Sequence, residues 1–318
     1  MSATENNYFK GRGSQVNTQN PFQKQTYVTE HKEVLDEELY SNGKTHYFFE
    51  TPKKIINKVK SPDVYSEYSM NPYQGCEHGC IYCYARNSHE YWGFSAGLDF
   101  ERKIIIKQNA PELLEKQLMN KNWKVSPIMF SGNTDCYQPI EKKLEMTRKM
   151  LKVLLKFKQP VGMITKNSLI LRDIDLLSEM AKLKLVHVMV SITSLKEDLR
   201  LAMEPRTTTA KQRLKVIEEL NKAGIPAGVM TAPIIPGLNS EEIPSIIVGM
   251  IYTFDILFEE DANKPLKDFL RAPIFLPNST SIEKAFLTLK HKRQSYAVVT
   301  DARGEAVGAV PIEKLLVL

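Results

Sequence analysis

The chain is poor in several things, and each shortage removes a class of function. It has four cysteines and two tryptophans in 318 residues. Four thiols in a chain of this length, with no secretory leader, are too few for a disulfide scaffold; they predict a reducing compartment and a cytoplasmic location. Long hydrophobic runs are missing too. The longest, Ser245 to Phe258, is interrupted by Thr253 and Asp255, and it falls short of the ~20 residues of a spanning helix, so no membrane insertion is expected. Charge of one sign is not in large excess: the formal net charge is +6, which permits an anionic partner without requiring one. No basic stripe interleaved with aromatics is present, so nucleic acid remains an option that the composition does not favour. With 42% hydrophobic and 25% charged residues, the chain is long enough for one large α/β domain with an appendage.

What is present is concentrated in one loop. Cys76, Cys80 and Cys83 stand at CxxxCxxC spacing, with Tyr82 just before the third. Three thiolates on so short a loop can face one inorganic centre and leave it one ligand short, since an iron–sulfur cube takes four. On spacing alone two other arrangements stay open. His78, His89 or Cys136 can complete a closed zinc site, or a fourth ligand can close the cluster and make a non-catalytic module.

The alternation of short apolar runs with helical ones predicts βαβ units and a parallel sheet. Strands are expected at Pro127–Phe130, Val161–Ile164, Val186–Ile192 and Ala227–Thr231. Helices are expected at Ala110–Asn122 (capped by Asn109), Lys142–Phe157, Ile174–Leu183 and Thr209–Ala223, the last with Leu214, Ile217 and Leu220 inward and Gly224 as its stop. Lys142, Lys143, Lys152, Lys156 and Lys158 read as a solvated helix face. Residues 1 to about 60 read as a polar lead-in, in which Gly11-Arg12-Gly13 suggests a phosphate contact. Chemistry in such a fold belongs at the C-terminal strand ends. There the sequence places Ser131 to Cys136, Thr165-Lys166-Asn167, Ser191 to Ser194, Glu204-Pro205-Arg206 and the Pro/Gly-rich turn Ala232 to Asn239.

The segment Met70-Asn-Pro-Tyr-Gln-Gly-Cys76 through Cys83-Tyr84-Ala85-Arg86 resembles the cluster loop of radical S-adenosylmethionine (SAM) enzymes, in the branch near spore photoproduct lyase. The likeness runs from about Ser66 to Ile246, and Gly11-Arg12-Gly13 with Asn20-Pro21-Phe22 is similar to related chains as well. The resemblance implies a partial parallel (β/α) barrel, a [4Fe-4S] cluster on Cys76, Cys80 and Cys83, and SAM on the open iron. It implies an enzyme, possibly lyase-like in kind, that splits SAM reductively to a 5′-deoxyadenosyl radical, with a reductant such as flavodoxin or ferredoxin and an unidentified substrate. It further implies that Ser131 and Thr134 lie at the SAM amino group, Lys166 at its carboxylate and Ser191 with Thr193 at its ribose, with Tyr82 and Arg206 as further cofactor contacts. Cys136 has three candidate roles: cluster ligand, hydrogen-atom donor, or inert core thiol. Tyr84 and Tyr137 are pocket-wall candidates.

The last seventy residues are of another kind. Ser281 to His291, Tyr296 to Gly304 and Val307 to Leu315 resemble a cystathionine-β-synthase (CBS) motif of the magnesium and cobalt efflux type, of which only one nearly complete copy is present. Glu313 stands where many such motifs carry a nucleotide-binding aspartate. The expected organisation is therefore a polar extension over 1–65, a radical SAM core over 66–247 that stops after its fifth unit, and a CBS-like α+β segment over 248–318. The expected junction lies near Ile247 to Met250; the rival reading takes Val248 to Ile256 as a sixth barrel strand. The tail leaves an adenosine-nucleotide sensor as a further function class.

Overall fold

The computed structural model describes residues 9–22, 44–59, 66–242, 246, 274–292, 296–302 and 306–311. The expected junction, the apolar run from Ser245 and Glu313 lie outside them. The chain divides into two units, one of residues 1–192 with 196–230 and one of 193–195 with 231–318.

In the first unit the strands are β1 (His46–Glu50), β2 (Asn57–Lys58), β3 (Tyr68–Met70), β4 (Tyr73–Gln74), β5 (Lys103–Lys107), β6 (Ile128–Phe130), β7 (Val161–Thr165), β8 (Val186–Ser191) and β9 (Ala227–Met230). The main sheet has the order β2-β3-β6-β7-β8-β9. Its last five strands are parallel; β3 pairs with β6 across the excursion of β4 and β5, and from β6 to β9 each strand pairs with the next in the sequence. That order is the wall of a partial barrel, and every C-terminal strand end lies at one rim. A smaller sheet, β1-β5-β4, joins a strand of the segment read as polar lead-in (β1) and one from the start of the cluster loop (β4) to β5, which follows that loop and was not expected. Its β1 was not expected, because His46-Tyr-Phe-Phe-Glu50 is largely exposed and lacks the alternation that marks a half-buried strand.

The core is one cluster built from the apolar faces of these elements, with Phe130, Met150, Leu151, Leu154, Val188 and Leu220 all fully buried. A leucine or valine sealed this way contributes roughly 1.5–3 kcal/mol. The helices depart from the expected boundaries in instructive ways. Ala110–Leu118 ends earlier than expected, and Asn109 does not cap it; its amide instead donates to the Pro52 carbonyl at 3.3 Å. The expected helix Lys142–Phe157 is two, Glu141–Leu144 and Met146–Lys156, broken at Glu145 with φ 53°. The break re-phases the chain so that Glu141 and Thr147 are both fully buried and hydrogen-bonded, the Thr147 amide donating to Glu141 at 3.1 Å. The lysines at 142, 143, 152, 156 and 158 are exposed as expected. Helix Ala210–Lys222 starts where Thr209 accepts from the Gln212 amide. Its inward face carries Arg213 rather than Leu214, which is 43% exposed.

Residues 9–22 are tied onto the cluster loop. Glu101, fully buried, accepts from the Gly13 amide at 3.0 Å, the Ser14 amide at 2.8 Å and the Arg86 guanidinium at 2.5 Å. Arg12 donates to the Glu101 carbonyl at 2.7 Å, and the Leu98 amide to the Val16 carbonyl at 3.0 Å. A Cβ on Gly13 would lie 1.9 Å from the Gly79 carbonyl oxygen, inside the cluster loop. Only glycine permits that backbone approach. Gly13→Val is expected to cost about 1–3 kcal/mol, read as a lowered midpoint in urea unfolding, whereas Lys10→Val leaves the midpoint unchanged.

In the second unit, β10 (Ile274–Pro277) pairs parallel with β11 (Tyr296–Thr300), which pairs antiparallel with β12 (Ala306–Pro311). Helix Ile282–His291 starts at Ser281, whose hydroxyl accepts from the Lys284 amide. Leu276, Ala285, Leu289 and Ala297 form its small core. Helix and β11 stand where the CBS-like reading placed them. Among the described residues no helix is long and apolar enough to cross a membrane.

Candidate active site

The cluster loop runs from β4 toward a 3-10 helix at Tyr84–Trp92 and is fixed from several sides by its backbone. The Cys76 amide donates to the Phe100 carbonyl at 2.9 Å, the Ile81 amide to Met203 at 3.0 Å and the Arg206 amide to His78 at 3.2 Å. Arg86 donates to the Cys80 carbonyl at 2.8 Å. Glu77 accepts from the Ile140 amide at 3.0 Å, and its own amide donates to Gln138 at 3.0 Å. The loop therefore sits on the segment after β6.

Cys76 and Cys80 are buried and Cys83 is half-buried. Burial raises all three thiols. Cys76 lies well above its usual value, Cys80 is pushed up to about 12 and Cys83 is raised. The thiols also feel one another: a charge on Cys80 or Cys83 raises Cys76, and a charge on Cys83 raises Cys80. Lys166 opposes this at Cys80. Among the described residues, no three His, Cys, Asp or Glu side chains are arranged to hold a single metal ion. His89 packs between Phe94 and Phe100, with burial lowering it to about 4. His78 lies between Asp135 at 3.4 Å and the Asn167 amide at 3.2 Å.

The rim facing the loop carries a buried polar network. Asp135 accepts from the Thr165 hydroxyl at 2.8 Å and from the Lys166 amide at 2.7 Å. Burial alone would raise its pKa, but His78 and the amides of Lys166 and Tyr137 bring it below the usual carboxylate value. Lys166 donates to the Ser191 hydroxyl and lies 3.4 Å from Glu204. Glu204, 1% exposed, also accepts from the Tyr82 hydroxyl and from Arg213 Nη2 at 2.7 Å. Arg213 Nη1 donates to the Ser191 carbonyl at 2.6 Å. Three residues expected from the sequence (Tyr82, Lys166 and Ser191) are thus brought together by two that were not assigned roles, Glu204 and Arg213. Glu204 stood in the quoted motif beside Arg206. Arg213 carried no signal beyond being a charge one position before a presumed core leucine.

The other expected residues sit elsewhere. Ser131, at φ 74°, accepts from the Cys136 amide at 3.0 Å, and the Thr134 hydroxyl donates to the Tyr73 carbonyl at 2.8 Å. Cys136 is fully buried in the main apolar core. Tyr137 is fully buried with its hydroxyl on Asp173, whereas Tyr84 is 78% exposed with its hydroxyl on the Gly132 carbonyl. Thr193 belongs to the second unit, where its hydroxyl donates to Ala232 and its carbonyl accepts from Asn239. Arg206 lies beside Glu77 at 3.7 Å. In the Gly11-Arg12-Gly13 segment read as a phosphate contact, the Gly13 amide is occupied by Glu101, which also accepts from the Ser14 amide.

Comparison with known proteins follows the same outline. An uncharacterized protein of Mycobacterium tuberculosis is 33% identical over 201 residues, 63% of this chain and 59% of the relative, so the chain spans under two thirds of the length of the curated relatives it matches. A structure of spore photoproduct lyase complexed with dinucleoside spore photoproduct superposes with a TM-score of 0.48 at 15% identity, over 78% of this chain and 66% of that one. In the C-terminal region the similarity is to the CBS domain of a putative transporter from Clostridium difficile, with a TM-score of 0.21 at 24% identity, over 32% of this chain and 74% of that one. At those scores the two structures add nothing to a functional assignment. The Radical SAM superfamily profile matches residues 70–248, more than half of the chain, including β6 to β9 of the barrel wall described above. The chain belongs to the radical SAM superfamily.

Proposed function

We propose that Cys76, Cys80 and Cys83 hold a [4Fe-4S] cluster and that the rim beside it binds SAM. The observation that carries this reading is three free thiols on one backbone-fixed loop, with a strand-end lysine, Lys166, 5.6 Å from the ring of Tyr82 in that loop and held by Ser191 and Glu204. The donor set suits such a group. Three soft thiols held neutral by burial become ligands only where positive iron offsets their desolvation. When bound, the cluster supplies the electron that splits SAM into methionine and a 5′-deoxyadenosyl radical.

This chain's own residues then bind and orient. Lys166, held between Ser191 and Glu204, presents an ammonium to the SAM carboxylate. Thr134 donates its hydroxyl proton to the Tyr73 carbonyl, so its lone pairs serve as acceptors for the SAM ammonium. Ser191 serves the ribose, and Tyr82, fixed through its hydroxyl by Glu204, lends its ring as an apolar wall. Cys136 is a packing residue, since it is sealed in the core. A soluble electron carrier such as flavodoxin or ferredoxin completes the system. The substrate approaches at the C-terminal strand ends.

The test is anaerobic reconstitution with iron and sulfide, followed by dithionite and SAM. The expected result is close to four irons per chain and release of 5′-deoxyadenosine. Bound zinc without iron, or loaded protein that leaves SAM intact, would sink the proposal. Cys136→Ala is expected to keep both iron and SAM cleavage; loss of iron in that variant would make Cys136 a ligand.

A further inference from the structure

Strand β1 stands at the edge of the sheet β1-β5-β4 and pairs with β5 on one side. Among the described residues no strand pairs with its other side. It reads His46-Tyr-Phe-Phe-Glu50, and its first four residues are exposed, Phe48 at 42% and Phe49 at 60%. Successive side chains of a strand point to opposite faces. The Tyr47 hydroxyl donates to Glu77 of the cluster loop at 3.2 Å, and the Phe48 ring lies 5.4 Å from that of Phe94. Each face of the strand thus touches its own unit, and what stays open is the edge. At the strand's two ends, the side chains of His46 and Glu50 form no hydrogen bond or ion pair among the described residues. Glu50 stands in register with Lys107 on β5 but makes no ion pair with it. An open aromatic edge of this kind is a template for one more strand.

We infer that β1 binds β1 of a second copy of this chain, edge to edge. Two copies related by a two-fold axis meet in this way only as antiparallel strands. One register pairs all five residues with one another, the one centred on Phe48. It sets His46 opposite Glu50 of the second copy at both ends, Tyr47 opposite Phe49 of the second copy twice, and the two Phe48 residues opposite each other on the axis. The strand read backwards therefore complements itself: its imidazole end meets a carboxylate end, with aromatic pairs between, and both kinds of pair stabilise a sheet. That charge complementarity selects a second copy over an unrelated strand. The product is one six-stranded sheet, β4-β5-β1 continued by β1-β5-β4. Both open edges are used up in it, so this contact stops at two chains. The inference does not depend on the cluster or on SAM.

The experiment is sedimentation velocity of the full chain, iron-free and with its thiols kept reduced, from ~1 to ~100 µM. Wild type is compared with His46→Glu and with the exchange variant His46→Glu/Glu50→His, and a melting curve is taken of each. A single strand pair is a small interface, so the expected dissociation constant is about 10 µM. His46→Glu opposes two carboxylates at each end and is expected to weaken the dimer about tenfold or more. The exchange restores an imidazole opposite each carboxylate and is expected to return the constant to within about threefold of wild type. His46 is exposed, so all three proteins are expected to melt within ~2 °C of one another when dilute. The inference is overturned if wild type is still a monomer at the highest concentration, which would give the edge to some other occupant, or if it assembles beyond two chains. It is also overturned if His46→Glu dimerises as wild type does, or if the exchange variant fails to recover. A His46→Glu protein that melts several degrees lower would overturn it too, since His46 would then have partners within its own chain.

Discussion

Arg213→Met is expected to destabilise the barrel unit by about 3–5 kcal/mol, seen as a melting temperature lower by roughly 10 °C. Arg213 is fully buried and pairs with a carboxylate that is 1% exposed. Removing the guanidinium takes from Glu204 a counter-charge 2.7 Å away in the core, leaving Lys166 at 3.4 Å, and it deprives the Ser191 carbonyl of a donor. Desolvation of an orphaned charge dominates such losses, so the damage should be repaired by removing the other charge as well. The double variant Arg213→Met/Glu204→Met should recover most of the stability while still losing SAM affinity, because Lys166 and Tyr82 no longer share an anchor. If the single variant melts within 2 °C of wild type, the network is not a buried charge pair in solution.

Cys80→Ser should lower 5′-deoxyadenosine formation by more than about 100-fold, since even residues that only orient metal ligands are worth 10- to 100-fold. A serine hydroxyl is neither soft nor ionised at neutral pH, and it cannot replace a thiolate on iron. The fold should survive, because the loop is held by backbone bonds at Cys76, Ile81 and Arg206 and not by the sulfur. Two measurements separate the cases: iron content after anaerobic reconstitution, and the melting temperature of the iron-free protein. A Cys80→Ser protein that keeps a full iron complement would show that Cys80 is not a ligand. Unchanged melting with lost iron is the expected pattern.

The aliphatic runs at β6, β7, β8 and β9 and the leucines at 151, 154 and 220 settle strand and helix by local period, because an apolar side chain is buried by whatever element carries it. The three cysteines are legible as one group for the same reason: their spacing confines them to one loop in any fold. The break at Glu145, the inward turn of Arg213 and the role of Glu101 have no such local signature. Each depends on groups far apart in the chain, 88 residues in the case of Glu101 and the Gly13 amide. A charge enters a core only when its counter-charge is already there, and that pairing is made by the tertiary structure. The sequence by itself thus determined the family, the order of strands and the thiol triad. The fold alone decided which cations face the rim and which carboxylates hold them.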